Sequence, residues 1–264
     1  MRILIGIITA HCPSRTEYIA AARETWLKDC KLDYKFVFGN PESQNPPMPR
    51  RTALSDELFV ECDDTRAYMV HKNQALFKYA LEAGYDFCFR CCDDTFVNPH
   101  RLLVHGLEQY DYAGCLGGWW LYYGNITWPM KNAFMHGGCG VWLSRKAMHM
   151  LVADEWSPET CPYPSPHNVF YPDDGWMGEV LQGKLPWKDA RRETWGKSYF
   201  DNGIAIYSHG GLFALGSFDA TKVVAAHDVK RFGNIPKLFD VENFSNKGEK
   251  SSWQFKNHLP LLHK

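Results

Sequence analysis

The sequence predicts an α/β fold with a mostly parallel central sheet flanked by helices. Three observations carry that prediction. Ile3 to Thr9 is a short continuous apolar run, the profile of a strand buried on both faces. Tyr18 to Trp26 and Ala75 to Ala80 place apolar residues at helical spacing. Phe87, Phe89 and Cys91 alternate at the period of a strand, which delivers Asp93 and Asp94 into a turn at the end where open α/β sheets present ligands.

Taken in order, the first strand ends at Thr9, ahead of a loop expected to bind a ligand. Pro13-Ser14-Arg15-Thr16 carries a helix start, and Tyr18, Ile19, Ala22 and Trp26 give that helix its apolar face as far as Leu27. Arg15 and Arg23 lie near this helix and read equally as phosphate contacts or as solvated, ion-paired residues. Tyr34 to Phe38 alternates as a second strand, closed by Gly39-Asn40-Pro41 and a proline-rich loop through Arg51. Leu58-Phe59-Val60 reads as a third strand. Asp63-Asp64-Thr65 then leads into a helix carrying Lys72, Ala75, Leu76, Tyr79 and Ala80, which Gly84 ends. The first hundred residues therefore read strand, helix, strand, strand, helix, strand.

Beyond them, Gly117 to Tyr123, Trp128-Pro129 and His136 to Ser144 mix glycine with aromatic residues. Glycines let a backbone approach a ligand and aromatics offer stacking faces, although a tightly turned hairpin with core aromatics accounts for each tryptophan equally well. Ser144-Arg145-Lys146 opens a helix through Ala153, and a proline-rich loop from Cys161 ends at Asp173-Asp174. One aspartate of that pair is explained as a helix N-cap; the second is not. Val223 to Ala226 is an apolar run followed by His227, and from Phe232 the chain reads as a surface tail.

Composition narrows the function. Basic and acidic residues number 29 and 30, for a net charge of −1, which lacks the broad positive footprint of a nucleic-acid binder. The aromatic share of 15%, with ten tryptophans, suits a protein that stacks flat ligand faces such as sugar rings. Nine cysteines without paired metal-ligand spacing point to a reducing compartment rather than a disulfide framework. No stretch of 18 apolar residues occurs, and Met1-Arg2 runs straight into the first strand without a signal-peptide cleavage site, so the chain is expected to be soluble and cytoplasmic. Asn125-Ile126-Thr127 matches a glycosylation acceptor, which is idle in that setting. Neither GxGxxG nor GxxxxGK[ST] is present, so phosphates would be held by other means, and a divalent cation on Asp93-Asp94 would serve.

Four motifs in order resemble the fringe-like β-1,3-glycosyltransferase superfamily. They are Arg23-Glu24-Thr25-Trp26; Cys92-Asp93-Asp94-Thr95-Phe96-Val97-Asn98; Gly137-Gly138-Cys139-Gly140 with Leu143-Ser144; and Asp173-Asp174 with Gly178. The resemblance spans about residues 3 to 230 and implies a GT-A-type, nucleotide-sugar-binding fold and an inverting enzyme using a UDP-sugar with manganese or magnesium. It implies that Asp94 and His227 are metal ligands and that Asp174 is the base that deprotonates the acceptor hydroxyl. Thr9, Arg15, Arg23, Lys72, Asp93 and Gly138 are the corresponding candidates for donor binding. One departure is plain: Cys92 stands where the family has the first acidic residue of its DxD triplet, which should weaken donor binding more than chemistry.

The whole chain, 1–264, is then expected to form one glycosyltransferase domain, with a nucleotide-binding half over 1–100, an acceptor-binding and catalytic half over 101–230 and a tail over 231–264. Its partners would be a UDP-sugar and a hydroxyl-bearing acceptor, a carbohydrate or glycoprotein in preference to a nucleic acid. Two other classes compete: a catalytically degenerate carbohydrate- or nucleotide-binding protein, suggested by Cys92, and a metal-dependent phosphoester hydrolase built on the aspartate-rich turns.

Overall fold

A computed structural model describes residues 1–43, 47–49, 51–104, 106–123, 126–156, 173–189 and 224–226. The first strand, β1, covers Ile3–Ile8 and is buried along its whole length. Helix α1, Pro13–Glu24, begins with proline at its first position, where the missing N–H costs nothing. It ends before Trp26, which sits in a following turn and is buried in the core. Strands β2, Asp33–Asn40, and β3, Glu57–Asp63, follow; then helix α2, Met69–Glu82; then β4, Phe87–Cys92. The element order expected over the first hundred residues is the order found.

Short β5, Phe96–Val97, and α3, Pro99–Val104, lead to β6, Tyr112–Gly114. Strands β7, Leu116–Tyr123, and β8, Ile126–Met135, form an antiparallel hairpin from the glycine- and tryptophan-rich stretch. Strand β9, Val141–Ser144, runs into helix α4, Arg145–Val152. Helix α5, Asp173–Leu181, strand β10, Trp187–Asp189, and strand β11, Ala225–Ala226, complete the described elements.

The main sheet has seven strands in the order β10-β6-β9-β4-β1-β2-β3. Strand β9 runs antiparallel to both of its neighbours, and the remaining pairs are parallel. Each face is covered. Ile3, Ile5 and Ile7 of β1 pack with Ile19 and Ala22 of α1, Phe36, Phe89 and Cys91. Leu4 and Ile8 face the other way, against Leu76 and Phe77 of α2, Met148 of α4 and Trp176 and Met177 of α5. Gly6 on that second face lies directly under Leu76, where a Cβ would collide with the isobutyl group.

Because β2 and β3 lie on one side of β1 and β4 on the other, the chain reverses direction across the sheet between β1 and β4. In open parallel sheets that reversal opens a crevice at the carboxyl ends of the two strands, where ligands bind. Thr9 follows β1 and Asp93 follows β4 at that edge, and Asp93 N–H donates to Ile8 O at 3.2 Å. Among the described residues no helix is long and apolar enough to cross a membrane.

Candidate active site

The turn after β4 is tight: Thr95 N–H donates to Cys92 O at 3.2 Å, and Asp93 and Asp94 follow at the carboxyl end of the strand. Asp93 is held on both oxygens, by Thr9 Oγ1 at 2.7 Å and by Arg15 Nη1 at 2.6 Å. Burial pushes the Asp93 carboxyl above its ordinary value, against the pull of Arg15 and Thr9, and neighbouring Asp94 adds to the rise. Arg15 Nη1 also lies 3.9 Å from Asp94 Oδ2, so one half-buried guanidinium serves both carboxylates. Asp94 itself is buried.

Lys72 is buried below this cluster, donating to Thr9 O at 2.9 Å and pairing with Asp64. Asp64 also accepts from the backbone N–H of His11 at 2.5 Å and of Gly39 at 2.9 Å, with His11 Nδ1 3.0 Å away. Burial would raise the Asp64 carboxyl, but the His11 hydrogen bonds and the Lys72 ammonium lower it to about 2. Lys72 thus ties the ends of β1 and β3 together from within. Asp64 and His11, which sequence reasoning left out of the site, carry that tie.

Gly137 to Cys139 form a short turn ahead of β9, and Thr95 Oγ1 donates to Gly138 O at 2.6 Å. Gly140, at φ 104, presses against the Phe89 ring, a conformation and a closeness that only glycine permits. Facing this turn is the start of α5. Asp173 points inward and is buried, joined to Arg90 Nη2 at 2.5 Å and Asn73 Nδ2 at 2.8 Å. Asp174, half-buried, accepts from Gly137 N–H at 3.2 Å. Both aspartates lie in the first turn of α5, so the expected N-cap role falls to neither, and the second is placed by its contact with Gly137.

Of the residues expected at the site, the structure brings together Thr9, Arg15, Lys72, Asp93, Asp94, Gly138 and Asp174 around the carboxyl ends of β1 and β4. It does not bring Arg23 there. Arg23 bonds both oxygens of Asp56 at 2.8 and 3.0 Å and Glu57 at 2.9 Å, at the opposite end of β3, and lies over the Phe36 ring. Its motif fixes α1 to the sheet, Trp26 filling the core beside it. His227 lies outside the described residues. Arg90 and Asn73 were also missed: a charged residue in a strand reads as solvent-facing, and nothing local marks its partner 83 residues away.

A divalent cation fits one part of this arrangement. Among the described residues no three His, Cys, Asp or Glu side chains gather as a metal cage. Asp94 offers a buried hard oxygen donor just beyond β4, the donor type of cations held by one or two carboxylates and completed by substrate phosphates and water. Asp93, with both oxygens engaged by Thr9 and Arg15, offers less.

No curated protein sequence matches the chain significantly. Solved structures similar to it include A197 from STIV, at 12% identity and TM-score 0.35 over 71% of this chain and 80% of that one. A protein of Desulfovibrio desulfuricans G20 named as a nucleotide-diphospho-sugar transferase is 11% identical, with TM-score 0.38 over 71% and 79%. A glycosyltransferase involved in glycosylation of the major capsid of PBCV-1 is 14% identical, with TM-score 0.33 over 62% and 71%. The family described as Fringe-like matches residues 3–193, across every motif named above up to Asp173-Asp174 and Gly178. The chain belongs to the Fringe-like family, and its architecture is a mostly parallel α/β sheet covered by helices on both faces.

Proposed function

We propose that the chain is a metal-dependent, inverting hexosyltransferase that moves a sugar from a UDP-sugar to a hydroxyl of a carbohydrate or glycoprotein acceptor. The observation that carries the reading is the meeting of two acidic segments at the β1–β4 crevice. The Asp93-Asp94 turn lies on one side of the Gly137–Cys139 segment, and Asp174 at the head of α5 lies on the other.

Asp174 takes the proton of the acceptor hydroxyl. The freed oxygen attacks the anomeric carbon from the face opposite the nucleotide, and the bond to UDP breaks with its electron pair leaving on the β-phosphate oxygen. Thr9 and Arg15 hold Asp93 toward the nucleotide, and the Arg15 guanidinium brings positive charge beside the departing diphosphate. A bound Mn2+ or Mg2+ on Asp94 and His227 would neutralise that charge further. Support for His227 comes from the strand before it: Ala226 pairs with Phe96, two residues beyond Asp94, and Asn98 N–H donates to Val224 O at 2.8 Å.

Release of UDP from a panel of UDP-sugars, with and without Mn2+, tests the reading. Asp174→Asn should lower turnover by about 10²–10⁴-fold, the range for loss of a general base, while UDP affinity holds. Asp94→Ala should instead abolish Mn2+-dependent UDP binding. UDP binding without release by the unmodified protein would select the binding-module alternative, and unaltered turnover in Asp174→Asn would remove that residue from the chemistry.

A further inference from the structure

We propose that Arg90 is a positioning residue for Asp174, holding the head of α5 and the glycine segment in one frame against β4. The inference rests on the reading of Asp174 as the base. Arg90 lies in the middle of β4, opposite Gly6 of β1, and its side chain is 1% exposed. Its guanidinium reaches α2, the head of α5 and the end of its own strand. Nε donates to Asn73 Oδ1 of α2 at 2.9 Å, Nη2 donates to Asp173 Oδ2 at 2.5 Å, and Nη1 lies 3.7 Å from Sγ of Cys92, the last residue of β4.

Asn73 closes the ring, its Nδ2 donating to the same Asp173 oxygen at 2.8 Å and to Met69 O at 2.8 Å. Gly137 lies flat on the guanidinium, where any Cβ would collide with Nη1 and stand 3.6 Å from the Asp174 Cβ. From that seat its N–H reaches Asp174 Oδ2. Asp174 is therefore oriented by two routes that both begin at Arg90, one through its chain neighbour Asp173 and one through Gly137.

Stability alone is a poor account of this pair. Removing a guanidinium and a carboxylate from water forfeits the hydration of both, and apolar residues of similar volume often stabilise a core as well or better. What an apolar pair lacks is direction. A planar fork of donors fixes the angle as well as the distance of each segment it binds, and a misplacement of about 1 Å in a reacting group can cost on the order of 10²-fold in rate.

The decisive variant is Arg90→Met combined with Asp173→Leu, since Arg90→Met alone strands a buried carboxylate and can unfold the chain. The double variant should melt within a few degrees of the unmodified protein and bind UDP with Mn2+ within about threefold of its affinity. Its kcat for UDP-sugar turnover should fall on the order of 10²-fold while KM for the donor moves less than about threefold. Hydrogen exchange at the Gly137 amide should be at least roughly tenfold faster, reporting loss of the seat without reference to activity. A double variant that keeps both its kcat and its Gly137 protection overturns the proposal. Should the unmodified protein turn over no UDP-sugar, the glycosyltransferase reading fails, and the Gly137 exchange rate still decides whether Arg90 anchors the segment.

Discussion

Asp64 shows how much of the site is held by groups that never meet a substrate. Its carboxylate binds His11, Gly39 and Lys72, linking the ends of three strands. Its folded value of about 2 lies below its ordinary 3.8, so its contribution is fully present above that ordinary value and is lost as pH falls toward 2. The difference corresponds to about 2 kcal/mol. Asp64→Asn leaves the Lys72 ammonium buried without its counter-charge and should destabilise the protein by about 3–5 kcal/mol at pH 7. In urea titrations the gap to the unmodified protein should narrow by about 2 kcal/mol between pH 5 and pH 2; a constant gap would mean that Asp64 does not titrate in this range. Residues of this kind are hard to read from sequence. Asp93-Asp94 stand out because an apolar run delivers them to a turn, whereas Asp64 and Arg90 acquire meaning only from partners brought in by the fold. Arg23 errs the other way: its family motif is legible, but Asp56 and Glu57, which capture it, follow a polar loop with no pattern of its own.

Among the elements, those with a strong local signal appear nearly as the sequence spells them. Ser144 is the clearest case. It caps α4 by accepting from Ala147 N–H at 3.2 Å, and its hydroxyl is joined to Asp111 Oδ1 at 2.5 Å. Ser144→Ala should cost about 1–2 kcal/mol in chemical denaturation, since it removes the cap and leaves a half-buried carboxylate without that partner; a change under about 0.5 kcal/mol would show that water replaces both bonds. Helix α1 stops at Glu24, short of the apolar pattern that runs on to Leu27, because Trp26 and Leu27 enter the core from a turn instead of from helix. The period of the pattern is legible there and the terminus is not. The glycine-rich stretch is a hairpin, as its turn residues allow, but the antiparallel insertion of β9 between β4 and β6 is a matter of long-range pairing that no window of sequence contains.

For the molecule as a whole, the strand order places Thr9, Asp93 and Asp94 just beyond the ends of two interior strands, β1 and β4, away from either sheet edge. Helix α2 binds the site from below through Lys72 and Asn73, adjacent residues reaching Thr9 and Arg90 respectively. The same helix rests on β1 at Gly6, against Leu76, one helical turn further along. Gly6→Ala should cost about 1–3 kcal/mol as overpacking, seen as a lower Tm, and should slow turnover as well, although no atom of residue 6 faces the crevice. Turnover unchanged alongside a lowered Tm would show that α2 relaxes around the added methyl locally. Position 6 is thus the bearing on which α2 rests, and a single added methyl there is expected to tilt Lys72 and Asn73 together, one helical turn away.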